Sequence, residues 1–279
     1  MLFNFNHLSE PNSIAVMGVL NLSPNSFYSK SYFSRIDDAL KYAEKMIEEG
    51  AHILDIGAES TRPGSKKISV DLELERLIPV VSLLAKKYKV PISVDTYKPE
   101  VASAVLQEGA NIINDISGLR SGSVMAKIVS KHNAGIVLMH MNGIPETMQE
   151  NPRYDNVCSE ILEFLRQKIE LAEEAGINSK SIAIDPGIGF GKTLNHNLTI
   201  ISNLAKFKEL NKPILLGASR KSFIGEVLCL GPEDRLEGSI AAGVIGFIKG
   251  ANILRVHDVN ATVRAIKLVN AIKKVKLID

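Results

Sequence analysis

Eight short apolar runs, each stopping at a polar, charged or glycine position and each followed by a helix-like stretch, restrict what this chain can fold into. The clearest is Ser181 to Lys192, read as SIAIDPGIGFGK. Its apolar run, Ile182-Ala183-Ile184, ends in Asp185, Pro186 blocks further strand pairing, and Gly187, Gly189 and Gly191 open a loop. A buried strand that stops at a carboxylate and opens into a glycine-rich loop presents chemistry at the C-terminal edge of a parallel sheet. Two phosphate-binding patterns fail here. A phosphate loop needs glycine where Pro186 stands, and Lys192 occupies the third glycine position of the dinucleotide pattern. A plain tight turn accounts for one or two of the glycines and leaves the strand-ending Asp unexplained.

Taken in order, the chain begins with a polar arm and then a first strand over Ile14 to Leu20. Further strands are read at His52 to Ile56, Ile92 to Val94, Ile112-Ile113, Gly135 to Met139, Ile182 to Ile184, Ile214 to Gly217 and Ala251 to Leu254. Helical spacing falls between them: Ile36 to Glu49, Leu72 to Lys87, Pro99 to Glu108, Ser123 to Lys131, Val157 to Ala175 and His196 to Phe207. Two late segments, Phe223 to Leu228 and Arg235 to Lys249, precede a last helix that Asp258 caps and that runs to about Lys273. Strands that are continuous apolar runs are buried on both faces. Eight such βα units in 279 residues predict a (β/α)8 TIM barrel, with a doubly wound open sheet as the alternative. No linker or repeat divides the chain, so residues 1–279 read as a single domain with its core from about 14 to 275.

Composition narrows the function classes. A formal net charge of +2 with no basic block argues against a nucleic-acid partner. Cys158 and Cys229 form no metal-spaced pair and read as packing residues of a reduced, cytoplasmic protein. The N-terminus lacks the basic and apolar regions of a secretory signal, and no apolar run reaches membrane-spanning length.

In a barrel of this kind chemistry gathers at the C-terminal face. The strand ends bring Asn21, Asp55, Asp95, Asn114, His140, Asp185, Lys221, Arg255 and His257 there. Any one of them can be a turn cap, Asp55 and Asp115 especially. A whole ring of polar groups is costly unless the members pair or bind something. Facing Asp and Asn side chains suit a neutral, amide-like heterocycle with N–H and amino groups. Arg255 offers a flat guanidinium for stacking, and Lys221, Arg255 and His257 occupy the usual barrel phosphate position. Two long loops, after the first and second strands, are placed to close over a second substrate. A heterocycle pocket beside an anion site points to group transfer with phosphate or pyrophosphate leaving.

At these residues the chain resembles dihydropteroate synthases from about Val16 to Val269. The motifs are MGVLNLSPNSF at 17–27, DIGAESTRPG at 55–64, SVDTYKPEVA at 93–102, NIINDISG at 111–118, LMHMNGIPETMQ at 138–149, DPGIGFGKT at 185–193, LLGASRKSFIG at 215–225 and RVHDV at 255–259. The resemblance implies a TIM barrel, a homodimer and the condensation of 6-hydroxymethyl-7,8-dihydropterin diphosphate with 4-aminobenzoate. It implies that Asp95, Asn114, Met139, Asp185, Gly217, Lys221 and Arg255 hold the pterin. Asn21, Thr61, Arg62, Arg255 and His257 would serve the diphosphate, with Asn21 on Mg2+. Phe27, Arg62, Pro63, Phe190, Lys221 and Ser222 would line the aminobenzoate pocket, and Asp95, Lys221 and Arg255 would carry catalysis.

The first loop departs from the family pattern. Asn25 stands where an acid is common, and Tyr28 to Ser31 replaces a run with glycines. A carboxamide holds Mg2+ more weakly than a carboxylate. Three rivals remain at the level of sequence. One is a paralogue that binds pterins without making product. Another is a pterin-dependent methyltransferase, which has no use for STRPG or SRKS. The third is a phosphosugar aldolase or isomerase with Lys221 as its amine, in which Asp95, Asn114 and Asp185 have no clear task.

Overall fold

The structure, a computed structural model, describes residues 2–8, 14–22, 32–60 and 64–275, with side chains from residue 36 in the first helix. Eight parallel strands form its centre: β1 (Ala15–Asn21), β2 (Ile53–Gly57), β3 (Ile92–Asp95), β4 (Ile112–Asp115), β5 (Gly135–Met139), β6 (Ile182–Asp185), β7 (Leu215–Leu216) and β8 (Ile253–Val256). Hydrogen bonding runs β6-β5-β4-β3-β2-β1-β8-β7. The ring closes between its ends, where Ile184 bridges Ile214 and donates its N–H to the Pro213 carbonyl at 2.9 Å. This is the (β/α)8 barrel expected from the sequence, and the doubly wound alternative is excluded by that closure.

Period two along each strand sorts the side chains. Met17, Ile53, Ile112, Val137, Ala183, Leu215 and Ile253 point inward and form one apolar plug. Val16, Leu54, Val94, Ile113, Ile136, Ile184, Leu216 and Leu254 point outward and pack in the shell shared with the helices. Both faces are apolar, so the runs look continuous in sequence although they alternate in space. Two residues above the plug, the same inward rows carry Asp55, Asn114, Met139, Asp185, Gly217 and Arg255. The barrel interior therefore changes from apolar to polar within one step on β2, β4, β6 and β8.

The N-terminal segment, read as a polar arm, closes the bottom of the barrel. Phe5 is buried in the apolar plug, and Phe3 packs edge-on against it with centroids 5.0 Å apart. Gly135 leaves the room: a Cβ there would lie 2.6 Å from the Phe3 ring.

The surrounding helices are α1 (Tyr32–Glu48), α2 (Val70–Lys87), α3 (Pro99–Gln107), α4 (Ser123–Lys131), α5 (Val157–Glu174), α6 (Leu194–Ser202), α7 (Ser222–Leu228), α8 (Leu236–Lys249) and α9 (Val259–Lys274). Their starts follow capping chemistry. Ser69 accepts from the Leu72 N–H at 3.2 Å, Pro99 opens α3, and Thr193 with His196 forms a reciprocal cap on α6. The single helix expected over His196 to Phe207 is two pieces, α6 and a 3-10 segment, Leu204–Leu210. At the break the Asn203 side chain donates to the Thr199 carbonyl at 2.9 Å, competing with the helical ladder.

Candidate active site

The barrel mouth is organised around Arg255. From β8 its guanidinium donates through Nε to Asp55 Oδ2 at 2.6 Å and through Nη2 to Asp95 Oδ2 at 3.0 Å. Asn114 Nδ2 donates to the same Asp55 oxygen at 3.3 Å. Strands β2, β3, β4 and β8 are thus tied together above the apolar plug. Among the described residues, Asp55 Oδ1 and Asn114 Oδ1 are buried with no hydrogen-bond partner in the chain. Buried polar atoms are ordinarily paired, so two orphaned acceptors side by side suit a ligand that brings N–H groups.

Asp185 closes the opposite side. One of its oxygens accepts from the Gly187 N–H at 2.7 Å. Lys221 reaches across from the end of the β7 loop. Its ammonium donates to the Ile188 carbonyl and lies 4.6 Å from the Phe190 ring centroid. Gly217 keeps the space between the cations: a Cβ there would sit 3.8 Å from Lys221 Nζ and 3.9 Å from Arg255 Cβ. Met139, Met141, Met148 and Ile116 form a small apolar wall that Phe190 and Tyr97 join. At the strand-one side the Asn21 carboxamide oxygen lies 3.8 Å from where a Cβ on Gly57 would be, and Asp95 borders the same spot.

Burial sets the electrostatics. Desolvation pushes Asp95 up to about 7, with Arg255 pulling it down and Asp55 pushing it further up. Asp185 is likewise raised by burial, against the pull of Lys221. Desolvation lowers Lys221 to about 8, opposed by Asp185. A carboxyl and an amine that both titrate near neutrality, a few ångströms from a fixed guanidinium, allow the site to adjust its charge to a ligand.

The loops are fixed from below. Arg220, in a left-handed conformation with φ 56°, makes a two-pronged ion pair with Asp258 at 2.8 and 2.9 Å. The expected capping role of Asp258 on α9 is therefore replaced: it stands at the N-cap with no capping bond, because its carboxylate is taken by Arg220. Ser219 in the same loop accepts from the His257 N–H at 3.3 Å. Asp115 is the turn cap that Asp55 is not, holding the N–H groups of Ser117 at 2.8 Å and Leu119 at 2.9 Å.

Asn21, Asp95, Asn114, Met139, Asp185, Gly217, Lys221, Arg255 and His257 all lie at the upper strand ends or in the loops just after them, with Phe190 on the β6 loop and Ser222 at the start of α7. His140 turns away and faces Lys192. Phe27, Thr61, Arg62 and Pro63, with Asn25 and Tyr28 to Ser31, lie outside the described residues. Asp55, weighed in sequence as a turn cap, makes the shortest contact to Arg255. Its position two residues after Ile53, on the same inward row, marks it once the barrel has closed.

The chain matches the model of the pterin binding enzyme family over residues 17–257. It is 46% identical to the dihydropteroate synthase of Escherichia coli (strain K12), over 95% of this chain and 92% of that protein. This chain belongs to the dihydropteroate synthase family. The Bacillus subtilis (strain 168) dihydropteroate synthase is 45% identical over 95% of this chain and 90% of its own length. Among solved structures, the Yersinia pestis dihydropteroate synthase with a sulfonamide drug complex superposes with a TM-score of 0.91 at 39% identity, covering 99% of this chain and 100% of that one. The Xanthomonas albilineans dihydropteroate synthase in complex with 7,8-dihydropteroate gives 0.84 at 38% identity, covering 95% and 94%.

Proposed function

We propose that this chain is a dihydropteroate synthase in which the Arg255-centred pocket holds the pterin of 6-hydroxymethyl-7,8-dihydropterin diphosphate while 4-aminobenzoate displaces pyrophosphate. The observation that carries the residue assignment is the pair of orphaned acceptors on Asp55 and Asn114 beside Asp95 and Asp185. A pterin offers ring N–H and amino donors to such a set, and a flat face to Arg255. Met139 and Gly217 border the ring, and Lys221 donates toward it.

The reaction breaks the methylene C–O bond to diphosphate, forms a C–N bond to the aniline nitrogen and releases one proton from that nitrogen. It needs orientation and charge stabilisation more than a strong base. Asp95 stabilises positive charge that develops on the pterin methylene. Arg255 and His257, with Thr61 and Arg62 from the second loop, take the diphosphate. Phe27, Arg62, Pro63, Phe190, Lys221 and Ser222 form the aminobenzoate side, with the Phe190 ring as its floor.

Mg2+ fits this arrangement as a metal held mainly by substrate phosphates. Such an ion takes one or two protein oxygens, and the Asn21 carboxamide oxygen stands at the strand end beside Asp95 to supply one. When bound, the ion neutralises charge on the departing diphosphate.

The same reading makes residues 1–279 one domain and the protein a cytoplasmic homodimer. No described helix is long and apolar enough to cross a membrane. Supporting a dimer, Ile245 and Ile248 on α8 and Leu268 and Ile272 on α9 are large apolar side chains left exposed on neighbouring helices.

The test is product formation from the pterin diphosphate and Mg2+, with and without 4-aminobenzoate. Dihydropteroate that appears only with aminobenzoate supports the reading. Pterin binding without product favours a non-catalytic paralogue, and absence of pterin binding removes the roles of Asp95, Asn114 and Asp185.

A further inference from the structure

Lys192 follows the glycine-rich loop and is only 2% exposed. Its Nζ lies 3.0 Å from His140 Nδ1, 3.3 Å from the His140 carbonyl and 3.0 Å from the Phe190 carbonyl. Three acceptors match the three N–H bonds of an ammonium. A donor at Nδ1 requires the neutral His140 tautomer with its proton on Nε2. Burial first, and the Lys192 charge second, hold His140 in that neutral form, lowering it to about 3. Burial also lowers Lys192 to about 7, with Asp185 pulling it back up, and the three surrounding acceptors favour its protonated form.

The pair sits where two loops touch backbone to backbone. Gly187 and Gly191 are left-handed, and a Cβ on either would run into a carbonyl of the β5 loop, that of His140 or Asn142. Gln149 reinforces the seam, accepting from the Lys192 N–H at 3.1 Å, and Tyr154 donates to the Gly191 carbonyl at 2.9 Å. Along the loop Lys221 takes the Ile188 carbonyl and Lys192 takes the Phe190 carbonyl. Phe190 thus lies between two lysines: Lys192 behind it holds its backbone carbonyl, and Lys221 inside the pterin pocket lies over its ring.

We propose that Lys192, donating into the His140 ring and the Phe190 carbonyl, is a positioning residue that fixes the Phe190 backbone and so the aromatic floor under aminobenzoate. The inference rests on the reading above that Phe190 lines that pocket.

Lys192→Met removes the three donors at similar volume. Loss of the hydrogen bonds to the loop is expected to raise KM for aminobenzoate about tenfold, with kcat and pterin diphosphate affinity changed by less than about threefold. An unchanged aminobenzoate KM overturns the proposal, as does an equal loss of pterin affinity. The second measurement needs no variant: nitrogen-15 NMR of the wild-type His140 ring at neutral pH should show an unprotonated Nδ1 and a protonated Nε2. A proton on Nδ1 overturns the clamp, and this readout stands even where Lys192→Met does not fold. Phe190→Leu separates the two readings. If its aminobenzoate KM is unchanged while the His140 tautomer is as expected, the pocket assignment fails and the clamp survives as a loop anchor without effect on aminobenzoate.

Discussion

Replacing Asp95 by Asn removes one titrating group from the barrel mouth and keeps its shape. The folded Asp95 carboxyl titrates at about 7, chiefly because burial disfavours its charge. An unfolded Asp titrates near 4. Between those values the folded state holds a proton that the unfolded state has lost, so wild-type stability falls as pH rises through the window. At 1.36 kcal/mol per pH unit, the wild type loses about 2–3 kcal/mol between pH 5 and the folded value, then no more up to pH 8. The variant does not carry that loss. For a chain of this size about 1 kcal/mol moves Tm by roughly 2 °C, so Asp95→Asn should gain about 5 °C relative to wild type from pH 5 to pH 8. Thermal scans of both proteins across that range measure it. Turnover should fall about a hundredfold or more, since a stabiliser of developing charge is lost. Parallel Tm curves would refute the reasoning, because they would mean that Asp95 is ionised throughout and that burial costs it nothing.

Gly187→Ala forces a Cβ into the His140 carbonyl at φ 72°, and should destabilise the fold by about 3 kcal/mol or more, read as a lower urea midpoint. Arg220→Met breaks the two-pronged pair with Asp258; because the partners are about a quarter exposed, a stability loss near 1 kcal/mol is expected, together with weaker diphosphate binding by calorimetry as the Ser219–His257 contact loosens. Ile248→Glu places a charge on the exposed apolar face of α8, 62% open in a single chain, and should turn a dimer into a monomer by sedimentation while leaving the monomer folded.

Much of the architecture was written along the chain. Eight apolar runs separated by helical spacing permitted few closures, and their end residues named most of the mouth. Local chemistry also marked the start of α3 at Pro99; α2 and α6 begin two residues before the Leu72 and His196 read from apolar spacing, because the polar caps Ser69 and Thr193 extend them. The motifs at the strand ends carried the family in the same way.

What only the tertiary structure decided lies in contacts between distant segments. Period two hides in a strand whose two faces are both apolar, so the inward row that aligns Ile53 with Asp55 shows only once the ring is closed. Asp55 and Asp115 are alike in sequence, each an Asp in or at the end of an apolar run; one meets Arg255 across 200 positions and the other caps its own turn. Asp258 stands at a helix start, yet Arg220 claims it. Lys192 reads as the end of a glycine motif until the β5 loop folds against it and three acceptors surround its nitrogen. Local preferences fix where elements begin and end, because they act within a few residues. Which carboxylate meets which cation depends on burial and distance, and those exist only after the barrel has closed.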